Sequence, residues 1–200
     1  MTTVSHFAEI IESHLDHYTA QCWQWDNFPI FGSLVMVEEA TRTVLGVVST
    51  VATGSIDPTR TPFPYQKTEA ELKAEQPQIF EFLQTTFTVH VVGYCHREQR
   101  DKFLYLLPPT PCKIHAFVGT ASPAVVSQFF TRADYLHLLF AFATTLPNLD
   151  ELLLAIMQQQ NHNKPLSQTN IDEFCQTFAL LTGNDYRRLK LFLKRVESLA

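Results

Sequence analysis

Residues 34–51 run Leu34-Val35-Met36-Val37-Glu38-Glu39-Ala40-Thr41-Arg42-Thr43-Val44-Leu45-Gly46-Val47-Val48-Ser49-Thr50-Val51. Two β-branched runs flank a short polar segment. Leu34–Val37 reads as a strand ending in the turn Glu38–Thr41, and Val44–Thr53 as a near-continuous Val-rich strand. Outward from this hairpin the period-2 signal recurs. His17–Trp25 places Tyr18, Ala20 and Cys22 on one side and Thr19, Gln21, Trp23 and Trp25 on the other. Phe87–Tyr94 alternates Phe87, Val89 and Val91 against Thr88, His90 and Val92. Lys102–Leu106 and Lys113–Val118 complete the β candidates. Short, mainly antiparallel strands of this kind indicate a small barrel rather than a βαβ sheet, with Val47, Val48, Val91 and Leu106 in its core. Ahead of them, Phe7, Ile10, Ile11 and Leu15 have helical spacing, which predicts a short amphipathic helix over Val4–Leu15.

The segment Gly54–Thr86 interrupts the strands with four prolines, Pro58, Pro62, Pro64 and Pro77. A structureless loop of this length is uncommon in a compact domain. Thr68 followed by Glu71 has capping-box spacing and predicts a helix over Thr68–Glu75, and Pro77 predicts a second, ending near Leu83. At Ser122-Pro123 the pattern becomes helical. Helices are expected over Asp134–Leu146, then from an Asn148 cap with Leu149, Leu152, Leu153, Ile156 and Met157 on one face. The polar run Gln158–Asn163 reads as an exit closed by Pro165. A further helix is expected from Thr169 to Gly183, and a last one is lined by Tyr186, Leu189, Phe192, Leu193, Val196 and Leu199. The fold class is therefore α+β: a small antiparallel β-barrel with a helical insertion at about 55–86, followed by an all-α domain. The boundaries are 1–121 and 122–200.

A chain of 200 residues and 22.9 kDa is long enough to bury roughly 70% of its extended surface without disulfides or metal. Sixteen Phe against six Gly favour packed elements over a loop-rich scaffold. The net charge of −5 argues against a general nucleic-acid binder. Neither a secretory leader nor a membrane span is indicated: the longest apolar-rich run, Tyr135–Leu146, falls short of the ~20 residues a span requires. The four scattered cysteines, Cys22, Cys95, Cys112 and Cys175, point to reduced thiols and a cytoplasmic location.

Three pieces in order, Phe31-Gly32-Ser33-Leu34-Val35 with Val44-Leu45-Gly46-Val47-Val48, then Val91-Val92-Gly93-Tyr94, then Leu107-Pro108-Pro109-Thr110-Pro111-Cys112-Lys113-Ile114, resemble the HAS-barrel domain of HerA-type DNA-translocating ATPases and of ATP synthases. The resemblance covers about residues 14–118. It implies a barrel closed by a strand that follows the proline-rich turn, and a role as a subunit-contact collar of ring ATPases. No G-x-x-x-x-G-K-[ST] sequence occurs, and no glycine is followed by lysine, so the phosphate cradle of the motor is lacking. The helical region from 123 onward does not resemble the ATPase domain.

Chemistry-bearing residues are dispersed. Cys95-His96 and Cys112-x-x-His115 supply zinc-type ligands, but adjacent or odd-spaced residues on a strand diverge to opposite faces. No Cys has a nucleophile signature, and Glu38-Glu39 reads as a solvated hairpin tip. Trp23 and Trp25, with Phe28, Phe31 and Phe63, read as core packing, the alternative being a stacking platform whose acidic flanks would repel phosphate. No catalytic residue, metal or cofactor is assigned. Charge is uneven: residues 1–150 carry 9 basic and 15 acidic residues (−6), and residues 151–200 carry 6 and 5 (+1). Arg187, Arg188, Lys190, Lys194 and Arg195 share one face of the last helix with Leu191 among them, which reads as a solvated face or a partner-docking surface. The expected function is a non-catalytic assembly or adaptor protein that docks a protein partner, a ring ATPase being the class the resemblance implies. The alternatives are a nucleic-acid-associated accessory protein acting through the basic helix and, behind it, a Cys/His enzyme. Self-association is left open.

Overall fold

The computed structural model describes residues 5–57, 59, 62–163 and 167–197. The 34–51 stretch folds as a hairpin: β3 (Leu34–Glu38) pairs with β4 (Arg42–Ser55) from Leu34↔Val47 to Glu38↔Thr43, and Glu39 N–H donates to the Arg42 carbonyl at 2.8 Å. With β1 (His6–Ser13), β2 (His17–Cys22), β5 (Leu83–His96) and β6 (Phe117–Thr120), these strands close an antiparallel barrel in the order β1-β2-β5-β4-β3-β6. Inside the insertion, α1 (Glu69–Glu75) carries the full Thr68/Glu71 capping box, and α2 (Gln78–Glu81) follows Pro77. The β4–β5 ladder continues to Ser55↔Leu83, so the strands claim both ends of the insertion. Among the described residues, helices α3 (Pro123–Phe129), α4 (Tyr135–Ala141), α5 (Leu149–Asn163), α6 (Gln168–Leu181) and α7 (Tyr186–Glu197) follow. Among the described residues no helix is long and apolar enough to cross a membrane.

Several elements differ from the sequence expectation. The predicted helix over Val4–Leu15 is strand β1. Its register with β2 shifts between Ile10 and Glu12, and with β6 between His6 and Ala8. These bulges break the period-2 pattern and leave Phe7, Ala8 and Ile10 buried, which imitates helical spacing. Ile11 and Leu15, which a helix would bury, are exposed. Lys102–Leu106 is not a strand. Only Leu104 bridges Tyr94, beyond the point where β2 has ended at His17↔His90, and Leu106 faces solvent. The closing strand starts later than expected, at Phe117, because residues 113–116 form a turn with His115 at φ +67°. Ser167, not Thr169, caps α6, its hydroxyl accepting from Asn170 N–H. Helix α4 ends at Ala141, and α5 runs through the polar Gln158–Asn163. Val4, Pro58, Pro165 and Leu199 lie outside the described residues.

The barrel wall is apolar on both sides, which is why β4 reads as continuous rather than alternating. Val35, Val37, Val44, Val48, Val89 and Val91 fill the lumen with Ile10, Tyr18, Phe87 and Val118. Leu34, Met36, Leu45, Val47 and Val92 project outward into a second cluster with Phe129, Leu136, Leu139, Leu152, Leu153, Ile156 and Phe178. Val47 thus belongs to the outer layer. The helices do not build a core separate from the barrel but share one with its outer face. Gly32 sits at this seam, with φ +81° and no space for a Cβ, which would lie 2.6 Å from Ala155 Cβ.

An ion pair at the hairpin tip anchors the proline-rich turn. Arg42, 7% exposed, donates from Nε to Glu39 Oε2 (2.6 Å) and from Nη2 to the Thr110 carbonyl (2.8 Å), Thr110 Oγ1 (3.0 Å) and the Pro111 carbonyl (3.2 Å). Glu39 Oε1 accepts from Lys113 N–H at 3.2 Å. Removing the guanidinium leaves the Glu39 carboxylate, 13% exposed, with only the Lys113 N–H as partner among these contacts. Arg42→Ala is therefore expected to cost about 3–5 kcal/mol in chemical denaturation. A loss below ~1 kcal/mol would show that the turn is held by other contacts. The shared core gives a second expectation. Leu153→Ala should cost about 2–5 kcal/mol. It should do so within one transition in which fluorescence of Trp23 and Trp25, beside the barrel, and helical circular dichroism coincide. Two separated transitions would overturn the shared core.

Candidate functional site

Helix α7 is laid down by its apolar stripe. Phe192 stacks on Phe174 (5.6 Å between centroids) and Phe178 (5.1 Å), with Leu189 and Val196 packed against the same cluster. Asp185 starts the helix, its carboxylate accepting from Arg188 N–H at 3.0 Å. Two of the five basic residues pair with α5, Arg188 half-buried against the cluster and Arg195 at the surface. Arg188 donates to Asp150 Oδ1 (2.6 Å), and its guanidinium lies over Phe140 (5.8 Å) and Phe178 (5.7 Å). Arg195 donates to Glu151 Oε1 at 2.5 Å. Asp150 and Glu151 occupy the first turn of α5, where carboxylates also suit the helix dipole. Arg187, Lys190, Leu191 and Lys194 then fall within an arc of about 100° on the far side of the helix. All four are exposed, Leu191 to 59%. The basic face proposed from sequence thus separates into a pair that fastens the helix and a set that faces solvent.

The Cys and His residues do not converge. Cys95 belongs to the outer cluster and Cys112 to the lumen, so they lie on opposite sides of the barrel wall. His96 is exposed, and His115 is exposed with Nδ1 2.5 Å from Glu9 Oε1. Among the described residues no three His, Cys, Asp or Glu side chains group as metal ligands. Burial pushes the Cys22 thiol up to about 11 and Cys112 up to about 12, and it raises Cys95 and Cys175, so each stays protonated and weakly nucleophilic near neutrality.

The aromatic residues expected in the core are largely outside it. Trp23, Phe28 and Phe31 are exposed because the 23–33 loop runs along the barrel rim instead of through it, and Phe63 is exposed in the insertion. Trp23 meets Phe117 edge-on, and Trp25 stacks on Phe80 of α2. Around the insertion, Pro62, Phe63, Tyr65, Leu72, Ile79 and Phe82 line an open groove of about 490 Å³.

A histidine row on the outer barrel wall escaped the sequence analysis. His14 stacks on His17 (4.4 Å) and His17 on His90 (5.7 Å), and His90 meets Phe142 at the end of α4 (5.6 Å). His17 Nδ1 lies 2.9 Å from Asp16 Oδ1, and His90 Nδ1 lies 2.9 Å from Ser49 Oγ. Burial opposes the Asp16 charge, but the His17 hydrogen bond and its own backbone outweigh this and hold the carboxyl below its ordinary value. Burial first, and the neighbouring His17 second, bring His90 down to about 4, so it is neutral in the fold. The available signal was the outward parity of His90 among Val89, Val91 and Val92. The missing information was register, which sets His17 opposite it.

Compared with protein-family models and with curated proteins, the chain matches none. The His90 environment carries a pH dependence. Its folded value lies below its unfolded value near 6.5, so the unfolded chain binds the extra proton between them. The His90 contribution is complete above pH ~6.5 and is lost as pH falls toward about 4. The melting temperature of the wild type should fall more steeply across this interval than that of His90→Gln. Equal slopes would mean that His90 is freely solvated.

Proposed function

We propose that this chain is a non-catalytic assembly or adaptor protein, built on a HAS-like barrel, that docks an acidic protein partner through Arg187, Lys190, Leu191 and Lys194. The observation that carries this reading is the division of labour on α7. Arg188 and Arg195 are fixed against Asp150 and Glu151, which holds the remaining cations and Leu191 in a set orientation toward solvent. A docking surface gains from such pre-organisation, because less side-chain and helix freedom is lost on binding. An apolar side chain among cations suits a partner offering carboxylates around an apolar contact. The resemblance to the HAS barrel supports an ATPase ring as the partner class, and the free, buried thiols of Cys22, Cys95 and Cys112 support a location in the cytoplasm.

The test is a comparison of proteins retained by the immobilised wild type and by Arg187→Glu/Lys190→Glu/Lys194→Glu. These positions make no core contact, so the variant should melt within a few degrees of the wild type. Retention of the partner should fall at least tenfold. Wild-type retention should also weaken as salt rises, since exposed charges are screened over ~8 Å at physiological ionic strength. Equal retention by both proteins would overturn the docking role. Loss of nucleic acid, rather than protein, from the variant would replace it with a nucleic-acid accessory role.

A further inference from the structure

Strand β4 is longer than the barrel needs. On one side it pairs with β5 along its whole length, from Arg42↔His96 to Ser55↔Leu83. On the other, β3 reaches only to Val47, and two further backbone bonds join Gly32 N–H to the Val48 carbonyl (2.9 Å) and Val48 N–H to the Ser33 carbonyl (3.1 Å). Among the described residues no backbone bond reaches Thr50–Gly54 from that side. The arm beyond the barrel is nevertheless firmly built. Thr53 and Thr85 hydroxyls lie 2.7 Å apart, and the Thr85 hydroxyl donates to the Trp25 carbonyl at 2.5 Å.

A register shift between Val48 and Thr50 marks the start of the free edge, and beyond it the side chains do not protect the edge. Thr50-Val51-Ala52-Thr53-Gly54 holds no charge and no proline, and two of its residues are Thr and one is Val. Ala52 and Thr53 are exposed, and a Cβ added at Gly54 would meet nothing within 4 Å. Unpaired N–H and C=O groups alternate along such an edge at strand spacing, so the ligand they specify is another extended backbone.

We propose that this edge is a strand-addition site that pairs antiparallel with the same edge of a second copy of this chain, across a two-fold axis at Ala52. This register sets Ala52 against Ala52, Val51 against Thr53 and Thr50 against Gly54. It brings no like charges together, although each chain carries −5. The outcome is a continuous sheet of two β5–β4 ribbons in an isologous dimer, a closed arrangement that leaves no edge for further growth. Exposed Ile56, which follows the strand, extends the contact with apolar surface. The α7 face is not involved, so this association is independent of the partner proposed above.

Light scattering on the full chain, from low micromolar to millimolar concentration, should show the mass rise from one chain toward two. Ala52→Lys places two ammonium groups directly opposite each other and should remain at the mass of one chain, with an unchanged melting temperature. Ala52→Cys brings two thiols across the axis, within the Cα separation that a disulfide spans, and should oxidise to a covalent dimer. Glu98→Cys, at an exposed position on a different loop, should not. Hydrogen exchange on the wild type gives a reading free of any substitution: amides in 50–54 should become protected as concentration rises. A wild type that stays at one-chain mass throughout would overturn the proposal. So would a dimer that Ala52→Lys leaves intact, or exchange in 50–54 that is independent of concentration.

Discussion

Barrel closure is the constraint on which the rest of the structure depends. β6 is only four residues long, yet it must pair with β1 on one side and β3 on the other. So short a strand has little pairing of its own to fix its position, and it is delivered by the chain before it. Arg42 sits where the hairpin tip meets the proline-rich turn and binds three acceptors on Thr110 and Pro111 while pairing with Glu39. One residue on, Ser13 Oγ donates to the Cys112 carbonyl at 2.7 Å and fastens the turn to β1. Closure then removes most free strand edges at once. The outer segment of β4 keeps one free edge, opposite β5, because it extends past the closed ring.

Closure also explains how much could be read in the sequence. The β3–β4 hairpin, the Thr68/Glu71 capping box and the Ser122-Pro123 helix start are local signals, and each folds as its residues indicate. Strand β1 is illegible because its pairing with β2 on one side and the distant β6 on the other introduces bulges, and bulges erase the period that identifies a strand. Lys102–Leu106 has strand composition but finds no place in a ring whose edges are already filled. The basic positions of α7 were visible as a set. Their division between Asp150, Glu151 and solvent was not, since it depends on how α7 packs beside α5. The histidine row was hidden for the same reason, being a product of β2–β5 register.

Charge and burial are arranged consistently across the molecule. Arg42 faces a carboxylate of its own hairpin and Arg188 and Arg195 face carboxylates of α5, while His90 is held neutral by burial and bonded to Ser49. The cysteines are likewise kept in their neutral form. Polar groups in the interior therefore serve positioning, while the cations on the far side of α7 face solvent.

The apolar outer wall of the barrel has a consequence for how the chain is made. Leu34, Met36, Leu45, Val47 and Val92 all emerge from the ribosome before any of α3–α7, which cover them. At ~5–20 residues per second, the 80 residues after Thr120 take roughly 4–16 s to synthesise. During that interval a nascent barrel would present a continuous greasy surface to solvent. The molecule is thus exposed to co-translational aggregation for seconds, and ribosome-associated chaperones would have their strongest hold on it during that window. Slowing translation through the helical region would lengthen the hazard without altering a single residue.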